Sequence, residues 1–223
     1  WYQRINHLSA ALATCADVAL GVLGGDLKRR ELLSARLGDV HSQLFIASSL
    51  LKFHATQPRS KEGDAHAAFA LQNSLYAAQQ ALLAYCDNFQ PRALGLLMRA
   101  LCLPLGRVFR APDDRQIREL GALVMEPNAV RAMLATHVYV SEDPEDAVGR
   151  VETAYQMLLR VDEPFQAFQR AWSKGELDAD SLDDALQAAV DKQIIRSEDV
   201  EPLREYDARR RDCVLTDHFE TLL

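Results

Sequence analysis

Apolar residues recur every three or four positions through most of the chain. Ile5, Leu8, Leu12, Cys15, Val18 or Ala19, and Val22 mark one face of a helix over 3–23. Gly24-Gly25 stops that helix, as glycine does at helix C-termini. Leu33, Leu37, Val40, Leu44, Ala47 and Leu51 keep the same period over 27–54. Pro58 and the polar run 57–64 read as a loop. Phe69, Gln72, Leu75 or Tyr76, Gln79, Leu82 and Leu83 then line a third helix over 65–88. Three long helices with short breaks predict an antiparallel, up-and-down bundle.

The pattern shortens afterwards. Pro91 suits the first position of a helix over 91–103, and Pro104 ends or kinks it. Ala111-Pro112-Asp113-Asp114 opens a helix to about 125, with its acids near the N-terminus. Further helices are expected over 127–137, 141–159, 162–173, 181–192 and 197–211. No stretch alternates cleanly, so essentially no sheet is expected. The fold class is all-α: a long-helix bundle over 1–104, then a module of shorter helices over 105–223.

Composition agrees with helix. Only 10 Gly and 8 Pro occur in 223 residues. Charge adds an asymmetry. Residues 1–110 hold 12 Lys/Arg against 7 Asp/Glu, whereas 111–223 hold 13 against 25. Such a split suits two faces with different partners, association between basic and acidic halves, or simply two solvated surfaces. The basic half has no dense Lys/Arg stripe and no nucleic-acid-binding motif, which argues against nucleic acid as a partner. Cys15, Cys86, Cys102 and Cys213 form no Cys-x-x-Cys pair, so free thiols in a reducing compartment are expected. No signal-peptide pattern opens the chain. Its start at Trp1 suggests a piece of a longer polypeptide. The run 93–105, broken by Arg99 and Pro104, is too short to span a bilayer.

Candidate chemistry is sparse. Gly21–Gly25 followed by Lys28 lacks the Gly-Lys-Ser/Thr of a phosphate loop and follows a helix instead of a strand, so a tight helix–helix turn is the plainer reading. Lys28, Arg29 and Arg30 remain candidates for an anion or partner contact beside the next helix's N-terminus. The six histidines never take metal-ligand spacing, and no Gly-x-Ser-x-Gly elbow occurs. No catalytic, cofactor or metal residue is therefore assigned. The strongest surface candidate is 92–110, with four arginines, no acid and many apolar residues: Arg92, Leu96, Leu97, Arg99, Arg107, Phe109 and Arg110. It reads either as a basic amphipathic helix for a membrane interface or as a core helix whose arginines pair with the acidic half.

Four blocks carry a resemblance: LGGDLKRRELLSARLGDVHSQLFIAS (23–48), DNFQPRALGLLMRALCLPLGR (87–107), APDDRQIRELGALVMEPNAVRAML (111–134) and HVYVSEDPEDAVGRVETA (137–154). Their order and spacing resemble the C-terminal extension of the large bacterial acyl-CoA dehydrogenases of fatty-acid β-oxidation. Beyond about Asp178 only a late helix and a tail with Asp217, His218 and Phe219 continue the likeness. The resemblance implies a parent enzyme that removes hydrogen from Cα and Cβ of a medium- or long-chain acyl-CoA, with a glutamate base, FAD as hydride acceptor and an electron-transfer flavoprotein downstream. The base and flavin segments precede the matched region, so FAD is expected outside this chain and the fragment alone is not expected to catalyse. Its implied partners are the N-terminal catalytic core of the same polypeptide, a second copy in a homodimer, and a peripheral membrane surface. The implied location is the bacterial cytoplasm, at the inner face of the membrane. The implied roles are assembly, membrane association or accommodation of the acyl chain. The competing class is a freestanding helical interaction module. A third class, a carrier with a cavity between helices, lacks a polar group in the sequence pattern that would orient a ligand.

Overall fold

The computed structural model describes residues 1–143 and 145–215, and among them there are helices and no strand. The helices are α1 (Tyr2–Leu23), α2 (Glu31–Thr56), α3 (Lys61–Asn88), α4 (Arg92–Cys102), α5 (Asp114–Met125), α6 (Ala129–Ala135), α7 (Ala147–Ser173), α8 (Leu182–Asp191) and α9 (Val200–Val214). The all-α class stands. The chain forms two compact units, Trp1–Thr136 and His137–Leu223. The tail residues Asp217, His218 and Phe219 lie outside the described residues.

In the first unit, α1 buries Ile5, Leu8, Ala11, Cys15 and Ala19 along one stripe. Helix α2 buries Leu33, Val40, Leu44, Ala47 and Leu51. These are the faces that the three- and four-residue spacing predicts, and each fully buried aliphatic side chain stabilises by roughly 1.5–3 kcal/mol. Gly24 ends α1 with φ of 50°, and a 3-10 turn over Gly24–Arg29 links it to α2. Helix α3 starts at Lys61, earlier than its hydrophobic pattern, because the Ser60 hydroxyl accepts from the Gly63 amide at 2.9 Å.

The boundary at Pro104 reflects helix length, whereas compactness places α5 and α6 with the long helices. One reason is Gln79 of α3, which is fully buried. Its Nε2 donates to the Phe109 carbonyl at 2.9 Å and its Oε1 accepts from the Phe109 amide at 3.0 Å. This clamps the irregular segment after α4 onto α3. A capping box between Asp113 and Gln116 then starts α5, and Gln116 Nε2 donates to Gln72 of α3 at 3.1 Å.

In the second unit one helix, α7, replaces the two expected over 141–159 and 162–173. Pro164 lies inside it. Proline removes one helical hydrogen bond, yet the helix continues because Val161, Phe168 and Ala171 on either side of it are buried in the unit's core. Asp146 sets its start later than expected, accepting from the Val148 and Gly149 amides at 2.9 and 3.1 Å. Helices α8 and α9 close this core with Leu186, Leu203 and Tyr206.

Candidate functional site

The stretch 92–110 is helical only as far as Cys102. Gly95, Met98 and Cys102 face inward. Gly95 sits so close to α3 that a Cβ there would lie 2.3 Å from the Cys86 carbonyl oxygen. Leu96 and Leu97, each 52% exposed, and Leu101, 65% exposed, face outward. Leu105 behind them is 84% exposed. A helix packed by its small residue thus presents leucines to solvent, which is the arrangement that marks a contact surface.

The arginines divide. Arg99 Nη1 meets Asp87 Oδ1 at 2.9 Å, and Arg92 Nη2 meets the same oxygen at 3.9 Å while its Nη1 donates to the Asp87 carbonyl. Both therefore pair within the first unit, with the end of α3. The sequence signal was there: Asp87 stands five residues before Arg92, just outside the stretch. Arg107 and Arg110 are exposed. Phe109 corrects the candidate surface, because it packs against the buried core and its backbone is held by Gln79. The outward surface consists of Leu96, Leu97, Leu101 and Leu105, with Arg107 and Arg110 nearby in sequence.

The basic cluster after α1 is exposed at Lys28, Arg29 and Arg30. Arg29 Nη2 pairs with Asp26 Oδ1 at 3.0 Å. Arg30 precedes α2 without a side-chain cap, and Glu31 places an acid in the helix's first turn. The diglycine is a helix–helix turn, as its place after a helix implies.

Sequence separation concealed one grouping. Cys15, Cys86 and Cys102, from α1, α3 and α4, are all buried free thiols. The Cys15 and Cys102 sulfurs are 3.9 Å apart. The hydrogen bond to Cys102, a second one to Cys86, and burial push the Cys15 thiol up, so it keeps its proton at neutral pH. The Tyr85 hydroxyl donates to the Cys15 carbonyl at 3.1 Å, and burial pushes that phenol up as well. Among the described residues no group of His, Cys, Asp and Glu is arranged to hold a metal ion. The trio is sulfur packed into a core, with Cys102 also 3.8 Å from the Ala11 carbonyl.

Helix α1 with its following turn, Tyr2–Arg29, is long and apolar enough to cross a membrane, with mean hydropathy 1.6 over its best window. Asp17 interrupts it, so no unbroken apolar run betrays it in the sequence. Core helices pass the same criterion, and the inward stripe of α1 is part of the first unit's core.

No solved structure matches this chain. A family model described as acyl-CoA dehydrogenase, C-terminal, bacterial type matches residues 1–219. The match spans both compact units and runs well beyond Asp178, where the likeness carried by the four sequence blocks fades. The chain belongs to the bacterial-type acyl-CoA dehydrogenase C-terminal family.

Proposed function

We propose that this chain is an accessory region that holds an FAD-dependent acyl-CoA dehydrogenase against an anionic membrane surface at the inner face of the cytoplasmic membrane. The flavin, the catalytic base and the contact with the electron-transfer flavoprotein belong, in this reading, to the parent's catalytic core. Family membership supports the link to acyl-CoA dehydrogenation. The observation that carries the membrane role is the outward leucine row of α4, Leu96, Leu97 and Leu101, followed by Leu105. Leucines of this kind enter the acyl boundary while nearby arginines meet anionic headgroups. Arg107 and Arg110 suit that task better than Arg92 and Arg99, which Asp87 already engages.

Flotation with phosphatidylglycerol-containing vesicles tests the reading. The 223-residue chain is expected to float with them and to stay behind with neutral phosphatidylcholine vesicles. Leu96→Asp combined with Leu97→Asp should abolish flotation, and Arg107→Glu combined with Arg110→Glu should weaken it. Unchanged flotation of the leucine variant, or none by the unmodified chain, contradicts the role.

A further inference from the structure

Two of the three cysteines buried between α1, α3 and α4 are set apart by geometry. Cys15 and Cys102 come from helices in direct contact, and their sulfurs are 3.9 Å apart. A disulfide needs about 2.05 Å, so the pair is short of a bond by only about 1.9 Å. A small shift of one helix end covers that.

The end that can shift is the one carrying Cys102. Cys102 is the last residue of α4, and Leu103 after it leaves the helical backbone with φ of −131°. No helix follows until α5 at Asp114. Helix ends and the irregular segments beside them open most easily. Cys86 lacks that freedom. Gly95 of α4 packs on its carbonyl so closely that a Cβ would lie 2.3 Å from the oxygen, which fixes the α3 backbone there. Cys102 is also the least buried of the trio, 5% exposed against 0% for Cys15 and 1% for Cys86.

The protons are arranged for thiol oxidation, in which the thiolate is the nucleophile. A hydrogen bond with Cys15 outweighs burial and brings the Cys102 thiol down to about 7. Cys15 keeps its proton, held by its bonds to Cys102 and Cys86 and by burial. At neutral pH one sulfur therefore supplies the nucleophile and its neighbour the acid.

We propose that Cys102 and Cys15 form a reversible disulfide on exposure to a hydroperoxide, stapling α4 to α1. Hydrogen peroxide is scarcely larger than water and reaches Cys102 when the end of α4 opens. The Cys102 thiolate attacks one peroxide oxygen, the O–O bond breaks, and the other oxygen leaves as hydroxide and takes a proton to become water. Cys102 is then a sulfenic acid. The Cys15 sulfur attacks the Cys102 sulfur, the S–S bond forms, the S–O bond breaks, and the hydroxyl leaves with the Cys15 proton as a second water. The two sulfurs together lose two electrons and the peroxide gains them. A dithiol returns the pair to thiols by exchange. The bond joins residues 87 positions apart, so it restricts the unfolded chain far more than the folded one. This site lies on the inner side of α4 and does not depend on the membrane role.

Peptide mapping of the reduced 223-residue chain after hydrogen peroxide treatment, with the remaining thiols alkylated in denaturant, tests the proposal. The expected product is lighter by two hydrogens, links the Cys15 and Cys102 peptides, and leaves Cys86 and Cys213 alkylated. Dithiothreitol should restore all the thiols. Cys86→Ala should give the same link, and its thermal midpoint should be higher by about 5–10 °C in the oxidised form than in the reduced one. Cys102→Ser should leave Cys15 a thiol; if that variant does not fold, mapping of the unmodified chain and of Cys86→Ala decides the matter. Thiols that survive peroxide intact overturn the proposal. So does a link between Cys15 and Cys86, a Cys102 sulfinic acid without a disulfide, or a link that forms only in the unfolded chain. An oxidised Cys86→Ala no more stable than its reduced form overturns it as well.

Discussion

The two units solve the burial of polar groups differently. In the first, buried polar side chains tie down backbone: Gln79 grips Phe109 at both its amide and carbonyl, and Tyr85 donates to the Cys15 carbonyl. In the second, a buried carboxylate binds side chains instead. Asp207 accepts from Arg210 at 2.7 Å and Arg211 at 2.6 Å on its own helix. Its core is also more aromatic, with Phe165 edge-on to Tyr206 at 4.9 Å and Phe168 edge-on to Trp172 at 5.1 Å. Neutral backbone clamps fix geometry and respond little to salt, whereas a charged clamp with solvent-facing arginines is screened. The basic first unit also keeps its α4 leucines outside, which is where the membrane role is placed.

Two substitutions probe that contrast. Leu75, 1% exposed in the first core, should cost about 2–5 kcal/mol when changed to Ala, with the same loss in 0.1 M and 1 M salt, read by urea unfolding. Asp207→Ala should cost about 1–3 kcal/mol through loss of the arginine clamp, and the loss should shrink as salt is raised. Equal salt dependence for the two variants would break the contrast.

The smallest effect belongs to His66. Its basicity is lower in the folded chain than the ordinary value of 6.5, because burial disfavours the imidazolium. As pH falls below that ordinary value, the unfolded chain takes up the proton first and stability declines until the folded-state value is passed. The difference in stability between the unmodified chain and His66→Leu should therefore change with pH between 7 and 5, moving against the unmodified chain as acid is added. A difference that is flat with pH removes His66 from this role.

Much of the fold was written in the periodicity, because helix faces need only local spacing. The stripes Ile5–Leu8–Cys15 and Val40–Leu44–Ala47–Leu51 are buried as their spacing implies. What escaped depends on contacts distant in sequence. Pro164 reads locally as a break, yet packing of Phe168 and Ala171 carries α7 through it. Phe109 looks like part of an apolar surface until Gln79, thirty residues earlier, turns it inward. The stretch 92–110 appears free of acid until Asp87 folds back on Arg92 and Arg99. Cys15, Cys86 and Cys102 are scattered along the chain and converge only once α1, α3 and α4 are packed. Leu96, Leu97 and Leu101 were legible as apolar, but their exposure was not, because it follows from Gly95 and Met98 taking the inward side of the same helix.

Deuterium exchange of the 223-residue chain with and without phosphatidylglycerol-containing vesicles tests whether α4 and the segment after it dock on a membrane. Vesicles should protect peptides covering 92–110 and leave those of α7, α8 and α9 unchanged. Protection confined to residues 147–214, or no change over 92–110 when the chain is vesicle-bound, would contradict it.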